Sequence, residues 1–302
     1  MDLKIVALGT AWFSDFKVEA GITDETNTWN FLCVIFDYVD VNIADKNIKL
    51  RLTQTDKDDI SICMRRFQSA LQELSSGKIK AKYDIIETNT PITQMSHDEE
   101  NGYYVSGYNV KETIDQYIKD GKYDHIFVAF RTGDINQKGA IPVNDWIGLG
   151  SMDYIGIGFS NIRLPDDDSN YIYKYDTRVN IFPEEVLIHE FLHTLERNAE
   201  EYGYERPELH DYEKYGYRNQ NLVGLKQWYA DYMNKEVKSS KKGYVGLPEE
   251  VFKAKPSKTS DFKFSRKLDY FDEPENILEE LNGIYKKIIN LFNVIQVEEE
   301  IQ

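Results

Sequence analysis

One segment of this chain is apolar almost all the way round a helix, yet it carries two histidines and a glutamate: Val186-Leu187-Ile188-His189-Glu190-Phe191-Leu192-His193-Thr194-Leu195-Glu196. A helix of that kind must be covered on most sides, and polar side chains within it need partners. Residues four apart on an α-helix lie one turn apart on the same side, so His189 and His193 aim their imidazoles at one place. Zinc accepts neutral imidazoles at about 2.0–2.1 Å, and a catalytic zinc keeps one position open for water. Glu190, beside the first histidine, is placed to take a proton from such a water. The helix ends are marked as well. Pro183 suits the first turn, Glu184 and Glu185 complement the positive end of the dipole, and Gly203 offers a stop.

The His189-Glu190-x-x-His193 segment resembles the active-site helix of the zincin metallopeptidases. The resemblance implies a zinc-dependent endopeptidase, with His189 and His193 as Zn2+ ligands, Glu190 as general base, and a protein or peptide as substrate. Ala199-Glu200-Glu201-Tyr202 is weakly similar to the helix extension of bacterial immunoglobulin-A-type zinc peptidases. The fold expected is α/β (α+β): a zincin-like, two-lobed molecule with a mixed sheet and a central active-site helix. Residues 1–203 would form the α/β lobe that includes this helix, and 204–302 a smaller lobe. Peptide deformylases share the histidine-glutamate motif but add a Glu-Gly-Cys ligand segment, and neither Cys33 nor Cys63 has that setting. The rival from another class is a surface-binding protein with an inactive or structural metal site. Loss of the base would mark it, and Glu190 is present.

A third ligand is needed. The metzincin pattern would put glycine at 196 and histidine at 199, where this chain has Glu196 and Ala199; the thermolysin-like pattern takes a glutamate from a later helix. Glu196, Glu200, His210, Asp211 and Glu213 are the candidates. A straight helix carries later residues away from the ion at about 1.5 Å each, so the ligand is expected after a turn. Residues 202–211, with Gly203 and Pro207, supply one. His210, one of five histidines, is the first candidate and Glu200 the second. Glu196 can instead orient a ligand imidazole. Tyr232 is the choice for a hydrogen-bond donor to a developing oxyanion, with Tyr215, Tyr217 and Tyr229 competing. Met233 falls where metzincins place a methionine turn, and it also reads as plain core.

The 302 residues carry a formal net charge of −16. Nucleic acid is excluded as a partner, because its phosphates would be repelled. No run of about 18 apolar residues suggests a transmembrane helix. Residues 1–9 are too short an apolar stretch for a signal peptide and read as a first strand. Secretion or cell-surface display is still expected, and acidity would keep such a protein soluble. Two cysteines make no disulfide framework.

Strands are expected at 3–8, 30–38, 82–88 and 125–130, and helices at 57–74, 110–119 and 274–294. His125 reads as a satisfied core residue and His97 as a solvated one. Residues 96–107 read as a polar, mobile stretch, 222–233 as helix or turn, and 235–256 as a long surface loop. Between 146 and 162, Gly148, Gly150, Gly156 and Gly158 alternate with apolar residues, which marks close approach by another backbone. One reading is tight packing against the active-site helix. The other makes 152–162, and 155–160 in particular, the edge strand on which an extended peptide pairs. Asp166, Asp167 and Asp168 form an acidic loop, solvated or binding calcium.

Overall fold

In the computed structural model, which describes residues 27–118, 122–134, 136–137, 139–144, 146–164, 184–220, 225–253 and 255, the first element is strand β1 (Thr28–Phe36). Its near-continuous apolar sequence is that of a strand buried on both faces. Trp29, Phe31, Cys33 and Ile35 enter one core, while Leu32, Val34 and Phe36 enter another. A hairpin of β2 (Tyr38–Ile43) and β3 (Lys46–Arg51) follows, then helix α1 (Gln54–Leu74) and β4 (Lys80–Thr88), which pairs parallel to β1. Next come a short hairpin, β5 (Ser96–Asp98) and β6 (Gly102–Tyr104), a 3-10 turn (Gly107–Val110) and the single-turn α2 (Lys111–Ile114). Strands β7 (His125–Arg131), β8 (Gly148–Tyr154) and β9 (Ile157–Leu164) complete the sheet.

The sheet is mixed, in the order β4-β1-β7-β9-β8, with β8 antiparallel to β9 and the other pairs parallel. One face is covered by α1, by helix α3 (Glu185–Glu201) with its two histidines, and by helix α4 (Lys226–Asn234). The other face is covered by the β2–β3 hairpin and the segment around α2. The fold is therefore α/β with a mixed sheet. No helix among the described residues is long and apolar enough to cross a membrane.

Helix α1 ends at Leu74 as expected but begins at Gln54, three residues before the expected start, under a reciprocal cap. Asp56 N–H donates to Thr53 Oγ1 (3.2 Å), and Thr53 N–H donates to Asp56 Oδ2 (2.6 Å). Asp56 also holds Arg131, which is 1 % exposed, at 2.6 Å. Thr53→Ala is expected to lower stability by about 1 kcal/mol, measured by denaturant titration; an unchanged midpoint would show the cap to be idle.

Four expectations are corrected. The helix at 110–119 is a 3-10 turn and one α turn ending at Ile114. The polar stretch at 96–107 forms the β5–β6 hairpin, fastened by the Asn109 side chain to Ser96 and Ser106. The segment at 235–256 is not a surface loop. It forms hairpin β10 (Val237–Ser239) and β11 (Gly243–Val245) and a 3-10 turn (Glu249–Phe252), and it buries Val237, Leu247, Val251 and Phe252 in the core under the sheet. Trp29 Nε1–H donates to the Phe252 carbonyl at 2.8 Å, and the Lys255 ammonium reaches the Thr28 carbonyl.

Finally, residues 155–160 are no edge. Ile155 and Gly156, both at positive φ, make the turn between β8 and β9, and β9 is paired on both sides. The edge is β8. The expectations at 3–8, 166–169 and 274–294 lie outside the described residues.

Candidate metal centre

Helix α3 buries Val186, Leu187, Ile188, Phe191, Leu192, Leu195 and Ala199, so it lies on the sheet with little apolar surface left over. Phe191 meets Trp29, Phe31 and Phe67 edge to face. His189 and His193 lie on the partly open side of the helix. His210 comes from the next element, a 3-10 turn (Leu209–Tyr215).

The three imidazoles converge. His189 Nε2 lies 3.0 Å from His210 Nε2 and 3.2 Å from His193 Nε2. Among the described residues these are the one group of metal-type side chains whose donor atoms all lie within 4.8 Å of one another. Two donors bound tetrahedrally to zinc at about 2.05 Å would be about 3.3 Å apart.

The outer nitrogens define the tautomers. His193 Nδ1 is 2.9 Å from Glu196 Oε2. The carboxylate is an acceptor, so the imidazole proton sits on Nδ1 and the Nε2 lone pair faces the cluster. His189 Nδ1 is 3.2 Å from the Tyr229 hydroxyl, which donates to Glu185 Oε1 at 3.1 Å; Nδ1 of His189 is thus the donor and its Nε2 lone pair also points inward. His189 and His193 thus present lone pairs to one point at the spacing of zinc-bound donors. The donor set therefore fits a zinc ion.

Burial, then the neighbouring charges of His193 and His210, keeps His189 well below the usual histidine range. Burial and His193 likewise lower His210. Burial alone would lower His193 too, but the Glu196 hydrogen bond and the charges of Glu190 and Glu196 outweigh it and raise it.

Glu190 is 4 % exposed and packs against the sheet edge. A Cβ at Gly150 would lie 2.7 Å from Glu190 Oε2, and one at Gly148 would overlap the same carboxylate. At Gly158 a Cβ would strike His125 and Thr194. Gly148, Gly150 and Gly158 are thus the bed of α3, as the tight-packing reading expects, while Gly156 serves the turn. Burial pushes the Glu190 carboxyl up to about 7, against the opposing pull of His193 and the Gly150 N–H.

Tyr232 does not face the cluster. Its buried hydroxyl is 3.0 Å from Glu196 Oε1 and 2.9 Å from the Pro207 carbonyl, so the oxyanion role expected of it is corrected to a supporting one. Tyr229 is the tyrosine that reaches a cluster histidine. Tyr215 and Tyr217 pack on Trp228 instead. Glu200 is exposed and outside the cluster, Asp211 pairs with Lys214, and Met233 is core. His125 is fully buried between Thr194 Oγ1 (3.0 Å) and Ser160 Oγ (3.1 Å), while His97 is exposed beside Tyr103. Cys33 and Cys63 are buried thiols, and burial pushes Cys33 up to about 12.

Sequence reasoning missed the Tyr229–Glu185 pair and the grip on Leu209, the residue before His210. No spacing rule singles out one tyrosine among 21. Comparison with protein-family models, curated proteins and solved structures finds no match to this chain.

Proposed function

We propose that this protein is a zincin-like, zinc-dependent endopeptidase. The observation that carries the reading is the meeting of three imidazole Nε2 atoms, 3.0 and 3.2 Å apart where they pair with His189, on a helix that also carries a buried glutamate. His189, His193 and His210 would hold the ion. Zinc bound there supplies a Lewis acid and a water acidified to a pKa of about 7.

The chain's own groups do the rest. Glu190 takes a proton from the attacking water and returns it to the leaving amine; a carboxyl held near neutrality suits both transfers. Tyr229, anchored on Glu185, fixes the ring of His189, and Glu196 fixes that of His193. In this reading the molecule is two-lobed: α3 floors a groove between the sheet and the segment after Gly203. An extended substrate pairs with β8, the sheet edge whose Gly148 and Gly150 touch Glu190.

The test is metal analysis of purified protein together with cleavage of a denatured protein substrate. One zinc per chain and metal-dependent cleavage are expected. His210→Ala should lower zinc affinity by about 100-fold or more, while His97→Ala leaves it alone. Full zinc retention in folded His210→Ala would remove His210 from the site, and a wild-type chain that takes up no zinc would end the proposal.

A further inference from the structure

Glu196 lies one turn beyond His193 and faces the same open side, but it is 6 % exposed and fully engaged. Its two oxygens serve different parts of the chain. Oε2 takes the Nδ1–H of His193 at 2.9 Å. Oε1 takes the backbone N–H of Leu209 at 2.7 Å and the Tyr232 hydroxyl at 3.0 Å, and Arg206 Nη1 approaches it to 3.3 Å. Leu209 immediately precedes His210. Its side chain is 1 % exposed and its carbonyl accepts Trp228 Nε1–H at 2.9 Å. The backbone that presents His210 is therefore pinned at both its N–H and its C=O.

We propose that Glu196 is a positioning residue for two ligands at once, orienting His193 through one carboxylate oxygen and docking the His210 turn through the other, so that the three-imidazole cluster is assembled before any ion arrives. This rests on reading the imidazoles as donors to one ion. The geometry gives the coupling a direction. His193 is on a helix and would keep its place without help, whereas His210 sits on a seven-residue 3-10 turn, an element with little stability of its own. A carboxylate shared by both transfers the rigidity of the helix to the turn.

The two oxygens can be tested separately. In Glu196→Gln the amide carbonyl faces the three donors on the turn side, leaving NH2 toward His193 Nδ1. The Leu209 contact then survives, but His193 must accept at Nδ1 and carry its proton on Nε2, the wrong tautomer for a ligand. Glu196→Ala removes both functions.

Nitrogen NMR of the imidazoles and amide hydrogen exchange, read on metal-free protein, should show a switched His193 tautomer with near-normal Leu209 protection in Glu196→Gln. In Glu196→Ala, Leu209 should exchange at least about tenfold faster. Zinc affinity by chelator competition should fall about 10–100-fold in Glu196→Gln and further in Glu196→Ala, with Glu200→Gln as an unaffected control. A folded Glu196→Ala with wild-type Leu209 protection overturns the proposal, and so does a Glu196→Gln that keeps the wild-type tautomer. If Glu196→Ala does not fold, the tautomer in Glu196→Gln decides. Failure of the wild-type chain to bind zinc would sink the enzymatic reading, while the metal-free measurements would still decide this one.

Discussion

Glu190→Gln is expected to lose about 10³-fold or more in hydrolysis and, stripped of metal, to be more stable than the parent protein. The two effects have one cause. Glu190 is buried against the edge of the sheet, and burial lifts its carboxyl from 4.5 to about 7. A folded-state pKa raised above the unfolded value means that the folded chain prefers the protonated form. That contribution is intact below about pH 4.5 and is lost as the pH rises through 7. Above it, the folded metal-free protein carries a buried carboxylate at a cost of about 3 kcal/mol. Glutamine has a similar shape and never ionises. Denaturant titrations of the two metal-free proteins should coincide near pH 4.5 and separate by about 3 kcal/mol at pH 8, with the variant the more stable. Coincident curves at pH 8 would show that Glu190 ionises without penalty. Retained cleavage in the variant would show that it is not the base.

Gly148→Ala should cut kcat/KM by about 100-fold with zinc content preserved. A single methyl group here falls on the Glu190 side chain, overlapping its Cγ and carboxylate. The flexible end of Glu190 can move aside, which limits the loss of stability to about 1–3 kcal/mol. It cannot move aside and also stay where the proton transfer needs it. The three atoms nearest to that methyl all belong to Glu190 and none to a histidine, so metal binding is expected to be spared. Gly203→Asn is the matched control: nothing lies within 4 Å of that position and its φ of +70° suits asparagine. Full activity in Gly148→Ala would mean that Glu190 works from some other position than the one it occupies against β8.

The helix with its two histidines, the apolar strand at His125 and the helix expected at 57–74 were legible because each repeats a local pattern. His210 was legible by elimination, being the histidine that a turn returns toward the helix, and the structure does bring it to His189 and His193. What was hidden depends on neighbours distant in sequence. Glycines on a strand announce a close approach but not what approaches. Those in β8 and β9 make room for Glu190, His125 and Thr194, and the edge lies one strand earlier than residues 155–160. The segment 235–256, rich in lysine and glycine, reads as solvated. Among its described residues Val237, Leu247, Val251 and Phe252 are buried in the core and Val245 packs against it, and they are too scattered to show a period. Tyr229 and Tyr232 lie three residues apart on one helix, and sequence alone could not tell that Tyr229 reaches His189 while Tyr232 turns to Glu196.

The bond from the Trp29 indole to the Phe252 carbonyl spans 223 residues. A ribosome delivers β1 well before the Phe252 turn that completes its cover. During synthesis the rings of Trp29 and Phe31 can meet Phe67 and Phe191 as those residues emerge, but the Trp29 indole N–H has to wait for the Phe252 carbonyl. Contacts of such separation slow folding and lengthen the time that apolar surface is open to aggregation. The helix with the histidines rests on those same rings. A nascent chain that already holds all three imidazoles therefore still lacks the last cover of the core on which their helix rests.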